Sequence, residues 1–417
     1  MYIKGLLCKN YGFHIRLKKG KNMQDLEKTV GFMGNFTPSA TLAIAAKAKE
    51  LKAQGLDVVS MSAGEPDFDT PQVIKDACIN AINEGKVYYT PASGLVELRK
   101  AVADKFNRDN NLNCTFEQIV VAPGAKFSVF SAVAALCGEG DEVIIPAPFW
   151  LSYPEMVKGA GATPVTIPTR AENNYELDPA ELEAAITDKT RLLILTTPSN
   201  PTGAVYRRST LENIAEIAMR KNIMVLADEI YEKLVYDADK PHISIGSILP
   251  GMENHTITVN GCSKTYSMTG WRIGYLCAPK WLAKKIIAFQ SHATSNATTF
   301  AQWGAIAAVE GKADEDVAKM RAEFAKRRDL IYDLVSKIDG IKCIRPQGAF
   351  YLLCDISSFG MGSEEFCSKL LTEKQMAAIP CWSFGAEGNI RLSYACSEAN
   401  IRESVKRLAE FCASLKK

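Results

Sequence analysis

The chain has 417 residues, with 49 Lys and Arg against 47 Asp and Glu, a formal net charge of +2. That balance lacks the basic footprint of a nucleic-acid or membrane-surface protein. No apolar run approaches the ~18–20 residues of a spanning helix. Length alone predicts two or three domains with room for large cores.

Residues 1–27 are expected to be an N-terminal arm without fixed structure. It is basic up to Asp25, and Gly5-Leu6-Leu7-Cys8 is too short for a signal-peptide core. Met23 is an alternative start within it. From Thr41 the pattern is helical and stops at Gly55. Residues 57–68 read as a strand running into a turn. Thr70 as N-cap and Pro71 at the first helical position predict a helix to Glu84-Gly85. A second helix is predicted from Leu95 to about Asn107. Strands then alternate with helices. Strands are predicted at 117–123, 141–148, 191–198, 222–229, 255–261 and 272–279, and helices at 126–137 and 211–220. Continuous Val, Ile and Leu runs separated by helices predict a mostly parallel α/β sheet covered on both faces. After Phe300, the apolar positions Val317, Met320, Phe324, Ile331, Leu334 and Ile338 have helical spacing. They predict one long helix ending at Gly340. Shorter strands and a closing helix from Glu398 suggest a smaller α+β domain. The expected division is a large domain at 61–304 and a small one made of 28–60 and 305–417.

The twelve cysteines contain no Cys-x-x-Cys pair and lie mostly in apolar stretches. They read as free thiols in a reducing, cytoplasmic setting. Four scattered histidines give no metal site and no histidine-based triad.

Five candidate sites share one address. Gly124-Ala125-Lys126, Phe149-Trp150, Asn200, Asp228 and Lys264 each follow the carboxyl end of a predicted strand, where open α/β sheets bind ligands. Lys264 is either a solvated loop lysine or an amine whose pKa a dry pocket and nearby Arg272 lower, as a Schiff-base nucleophile requires. Ser263 and Arg272 could hold a phosphate. Asp228, at the end of an apolar strand, is either a helix cap or the partner of a cationic ring nitrogen. The start of the helix at Ala125-Lys126 offers backbone N–H groups to a phosphate. Trp150 is either a core aromatic or a ring stacked on a planar cofactor. Asn200 sits in dense turn chemistry. Arg391, on an apolar strand, makes a salt bridge or forks a substrate carboxylate.

Together these segments resemble the fold-type I pyridoxal phosphate aminotransferases of class I/II. They are nearest the bacterial subgroup of aspartate and prephenate aminotransferases. The resemblance covers about residues 30–415 and rests on Ser62-Ala63-Gly64-Glu65-Pro66-Asp67-Phe68, Pro198-Ser199-Asn200-Pro201-Thr202-Gly203, Ala227-Asp228-Glu229-Ile230-Tyr231, Ser263-Lys264-Thr265 with Gly270-Trp271-Arg272-Ile273-Gly274, and Arg391-Leu392-Ser393-Tyr394. It implies a mostly parallel seven-stranded sheet with helices on both faces, plus the smaller α+β domain. It implies that Lys264 forms a Schiff base with pyridoxal 5'-phosphate and shuttles the proton, in ping-pong turnover. Asp228 would pair with the ring nitrogen, Tyr231 and Asn200 would hold the phenolic oxygen, and Trp150 would stack. Ala125, Lys126, Ser263 and Arg272 would surround the phosphate. Tyr89 would reach across the interface of a homodimer. Gly64, Asn200 and Arg391 would bind the substrate α-carboxylate, with Lys126 and Thr41 as further substrate contacts. Cis peptides are expected at Ala147–Pro148 and Asn200–Pro201. The motifs leave open an alanine, aromatic or kynurenine-type aminotransferase. An inactive regulatory derivative is disfavoured by the intact Lys264, Asp228 and Arg391. Its DNA-binding form would also need a module larger than the ~25-residue arm.

Overall fold

The computed structural model describes residues 36–415 except 39, 238 and 240, so the basic arm and Met23 lie outside the described residues. In chain order, helix α1 (Ala40–Ala53) leads to strand β1 (Val59–Ser60), then to α2 (Gln72–Asn83) and α3 (Val96–Asn110). Next come β2 (Ile119–Ala122), α4 (Ala125–Leu136), β3 (Glu142–Ala147), α5 (Ser152–Gly159), β4 (Thr163–Pro168) and α6 (Pro179–Ala185). They are followed by β5 (Thr190–Thr196), α7 (Arg208–Lys221), β6 (Met224–Asp228), β7 (Thr256–Gly261) and the single turn α8 (Cys262–Thr265). Then come β8 (Gly274–Cys277), α9 (Lys280–Ala293), α10 (Thr299–Val309) and α11 (Asp314–Val335). The last segment holds β9 (Lys342–Cys343), β10 (Tyr351–Asp355), α12 (Ser363–Lys374), β11 (Met376–Ala377), β12 (Ile379–Pro380), β13 (Asn389–Ser393) and α13 (Glu398–Ser414).

Seven strands form the main sheet in the order β2-β8-β7-β6-β5-β3-β4. Only β8 runs antiparallel to its neighbours. The α/β expectation therefore holds, and strand β5 shows why. Leu192 and Ile194 pack on one face with Val129 and Val133 of α4. Leu193 and Leu195 pack on the other with Leu211 and Ile214 of α7. Side chains alternate across a strand, so a strand buried on both faces must be apolar at every position.

A four-stranded antiparallel sheet, β12-β13-β10-β9, is built from the C-terminal part of the chain. Its Leu352, Cys354 and Leu392 share a core with Phe324 and Ile331 of α11 and with Ile401 and Leu408 of α13. Strand β1 pairs in parallel with β11, which ties the N-terminal segment to this region through Val59 and Met376.

Three local expectations change. Thr70 does not cap α2, because its hydroxyl donates to the Ser267 carbonyl at 2.7 Å and Pro71 takes the N-cap position. The long helix ends at Val335, short of Gly340. Strand β4 was not anticipated. It lies at the sheet edge and carries Pro164 and Pro168, and of its side chains only Ile167 is buried. Edge strands tolerate proline because one side of the ladder needs no donor. The peptides Ala147–Pro148 and Asn200–Pro201 are cis as expected, and so is Thr197–Pro198.

Candidate active site

The carboxyl ends of β2, β3, β5, β6 and β7 meet at a cavity of about 510 Å³. Its wall includes Thr41, Gly64, Ala125, Lys126, Trp150 and Asn200, and also Asp228, Tyr231, Ser263, Lys264, Arg272 and Arg391. Every site residue read from the sequence is thus brought to this one place, except Tyr89. That side chain is 89% exposed on the single chain.

Lys264 sits on the one-turn helix α8, directly after β7, and its Nζ donates to the Gly64 carbonyl at 2.5 Å. Burial, reinforced by the charges of Arg391 and Arg272, outweighs the attraction of Glu65 and Asp228 and lowers its pKa from 10.5 to about 8. An amine with this value is a nucleophile at neutral pH.

Asp228 closes β6 and is buried. Its Oδ2 accepts from the Tyr153 hydroxyl at 2.7 Å, and its Oδ1 accepts from the Ile230 amide at 3.2 Å. Burial raises its pKa to about 6, against the lowering effect of these two bonds. Because Tyr153 donates to Asp228, it accepts from Thr196 Oγ1, also at 2.7 Å. The result is a carboxylate held in place with no salt-bridge partner among the described residues, and a protonated ring nitrogen would complete it.

The anion-binding end is built from backbone. Helix α4 begins at Ala125 after Gly124, whose φ of +88° is open to glycine. A Cβ at Gly124 would lie 2.3 Å from Arg272 Nη2. The guanidinium therefore packs against bare backbone at the helix start, held by a 2.7 Å bond from Nη1 to the Thr269 carbonyl. Amide groups of a helix N-terminus, Ser263 and Arg272 together form a cradle fitted to a phosphate. Above it, Lys126 Nζ lies 4.7 Å from the centroid of the Trp150 ring. Burial, then the charge of Arg272, lowers the Lys126 pKa.

Arg391 reaches the cavity from β13 and is 3% exposed. Its Nη1 donates to Asn200 Oδ1 at 3.0 Å and its Nη2 to the Ser62 carbonyl at 3.3 Å. Its Nε has no partner, and no carboxylate pairs with it among the described residues. A salt bridge is therefore not what this arginine makes. A buried, unneutralised guanidinium beside a cavity calls for a ligand carboxylate.

Sequence reasoning missed Tyr153, Thr196 and Tyr351, which also line the cavity. Tyr351 Oη lies 2.9 Å from Tyr231 Oη. The cradle, the uncompensated Asp228, the activated Lys264 and the flat face of Trp150 fit a ligand with a phosphate, a basic aromatic nitrogen and an aldehyde, as pyridoxal 5'-phosphate has.

The family described as aminotransferase class I and II matches residues 56–408. An aspartate aminotransferase of Bacillus sp. (strain YM-2) is 49% identical over 381 residues, covering 90% of this chain and 97% of that protein. A probable aspartate/prephenate aminotransferase of Aquifex aeolicus is 43% identical over 380 residues, covering 90% and 96%. The structure of Thermus thermophilus aspartate aminotransferase with maleate superposes with a TM-score of 0.88 at 41% identity, covering 91% of this chain and 98% of that one. Strand order, site chemistry and sequence converge, and the chain belongs to the class I and II aminotransferases.

Proposed function

We propose that the protein transfers the amino group of L-aspartate or L-glutamate to 2-oxoglutarate or another 2-oxo acid, prephenate among them. Members of its family depend on pyridoxal phosphate. The observation that carries the reading is Arg391, a buried cation without an acidic partner at the wall of the cavity that holds Lys264. Relatives named for aspartate and prephenate support the substrate class.

When bound, pyridoxal phosphate supplies a cationic ring that withdraws electrons from the substrate Cα. The chain does the rest. Ala125, Lys126, Ser263 and Arg272 hold the phosphate, and Trp150 covers the ring. Tyr231 and Asn200 bind the phenolic oxygen, and Asp228 keeps the ring nitrogen protonated. Arg391, Asn200 and Gly64 orient the substrate α-carboxylate. Lys126 and Thr41 face its distal group. Lys264, whose lowered pKa leaves a share of its amine unprotonated near neutral pH, would take the Cα proton on Nζ. A 2-oxo acid leaves before a second one enters, which makes the kinetics ping-pong.

The same reading includes a homodimer in which Tyr89 of the partner subunit completes the phosphate site. It also includes a division into a large domain at 61–304 and a small one at 28–60 and 305–417. The pairing of β1 with β11 supports that division. A cytoplasmic setting accords with it, and no described helix is long and apolar enough to cross a membrane.

One spectrum tests the assignment. Protein loaded with pyridoxal phosphate should absorb as a yellow species and bleach on addition of L-aspartate. A panel of donors with 2-oxoglutarate should rank aspartate and glutamate above alanine and aromatic amino acids. Lys264→Ala should abolish both the yellow band and turnover, and full activity in that variant would refute the assignment.

A further inference from the structure

Tyr351 opens β10, and β10 pairs antiparallel with β13 so that Leu353 faces Arg391 and Tyr351 faces Ser393. Side chains two apart on a strand share a face. Tyr351 is therefore the diagonal neighbour of Arg391, on the face that looks into the cavity. The Arg391 guanidinium carbon lies 4.3 Å from the centroid of the Tyr351 ring and 5.4 Å from that of Phe384. The other end of the same side chain does something different. Its hydroxyl is 2.9 Å from the hydroxyl of Tyr231, and the two rings meet edge to face at 5.9 Å.

We propose that Tyr351 is a positioning residue with two separable roles: its ring holds Arg391 for the substrate carboxylate, and its hydroxyl sets the hydroxyl of Tyr231 for the cofactor. The inference rests on the aminotransferase reading of the cavity.

The ring role follows from charge. A buried guanidinium needs something to hold its plane. A carboxylate would do so by neutralising it and would then compete with the substrate. An aromatic face attracts the cation and leaves its charge and its N–H fork available. Asn200 and the Ser62 carbonyl are also neutral acceptors. Asn200, the Ser62 carbonyl and the Tyr351 and Phe384 rings thus orient Arg391 without neutralising it.

The hydroxyl role follows from proton counting. Burial raises the pKa of both phenols, so each keeps its proton at neutral pH. A bond between two hydroxyl oxygens uses one proton. When Tyr351 donates, the proton of Tyr231 is left free to turn to an acceptor in the cavity. In the proposed site that acceptor is the phenolic oxygen of the cofactor.

Tyr351→Phe removes the hydroxyl and keeps the ring, so it separates the two roles. Two readouts are needed beside activity. One is the pH midpoint of the absorbance change of bound pyridoxal phosphate. The other is the dissociation constant of maleate, a dicarboxylate without an amino group. In Tyr351→Phe the midpoint should rise by about 0.5 unit or more, the size of a weakened hydrogen bond to the deprotonated oxygen. Maleate affinity should stay within about twofold of the wild type. Tyr351→Leu, which removes the ring, should weaken maleate roughly tenfold. An unchanged midpoint in Tyr351→Phe overturns the hydroxyl role. A tenfold loss of maleate in Tyr351→Phe, or none in Tyr351→Leu, overturns the ring role. Should Tyr351→Leu not fold, Tyr351→Met, which also lacks the ring, takes its place in the maleate measurement with the same two outcomes. Wild-type protein that takes up no pyridoxal phosphate refutes the proposed function itself, which is a different result from a wild type that binds it and a variant that matches.

Discussion

At the scale of single residues, the site works by taking charges out of water and leaving them incompletely paired. Lys264 shows the consequence in a measurable form. A lysine at the ordinary value of 10.5 is neutral in only roughly 0.3% of molecules at pH 8, whereas one with a pKa of about 8 is half neutral there. Only the neutral amine attacks an aldehyde. Recapture of pyridoxal phosphate by protein stripped of it should therefore accelerate with pH and level off just above a midpoint near 8. The rate is followed by the return of the yellow band. A rate still climbing at pH 10 would show that the pocket does not depress this lysine. Lys264, Asp228 and Asn200 were legible in the sequence because each is a polar residue ending an apolar run, a contrast that a linear reading detects. Tyr153 and Tyr351 were not. The partner of Tyr153 lies 75 residues away and that of Tyr351 lies 120 residues away. Nothing in their own neighbourhoods marks them as more than core aromatics.

At the scale of elements, the end of β6 and the turn after it carry Asp228 and Tyr231, and a buried ion pair from α3 fixes that turn. Lys105, 1% exposed, pairs with Glu232, and its Nζ donates to Asn110 Oδ1 at 2.8 Å. Asn110 in turn donates to Glu229 at 3.0 Å and to Glu232 at 2.8 Å. Burial pushes the Glu232 pKa up. The charges of Lys105 and His242, with the hydrogen bonds from Lys105 and Asn110, win and hold it below the ordinary value. A depressed carboxylate stabilises the fold above the unfolded value of about 4.3, and that contribution fades as pH falls through the folded value. Lys105→Met keeps the volume and removes the cation. Glu232 then keeps only the Asn110 hydrogen bond and the His242 charge against its burial, and its pKa rises. The variant should lose about 3–5 kcal/mol at pH 7. The loss should shrink towards pH 5, where Glu232 can fold protonated. Urea unfolding at the two pH values checks this, and a loss independent of pH would mean that packing, not charge, is responsible. Such networks escape a sequence reading, since Lys105 looks like any helix-surface lysine between Asp104 and Phe106. Strand β4 escaped for the opposite reason, because its prolines and exposed positions make an edge strand look like a loop. Thr70 was misread because a tertiary acceptor, the Ser267 carbonyl, outcompetes the local cap.

At the scale of the whole molecule, the surface around α2 exposes a cluster of large apolar side chains. Tyr88 is 81% exposed, and Ile79, Ile82 and Val87 are about half exposed. The Thr299 hydroxyl donates to the Tyr88 carbonyl at 2.6 Å, so this loop abuts the start of α10, where Phe300 is also exposed. An apolar face of this kind suits the proposed homodimer. A two-fold dimer would place each Tyr89 against the other copy. Mixing two damaged chains distinguishes a shared site from a private one. Lys264→Ala removes the nucleophile from its own cavity. Tyr89→Ala, if the residue acts across the interface, damages only the neighbouring cavity. In a hybrid dimer of the two variants, one cavity then carries both defects and the other carries neither. Random reassortment of equal amounts makes half of the dimers hybrid, each with one intact site of two. Activity should therefore rise to about a quarter of the wild-type value, above either variant alone. If Tyr89 served its own chain, every cavity would keep one defect and mixing would recover nothing.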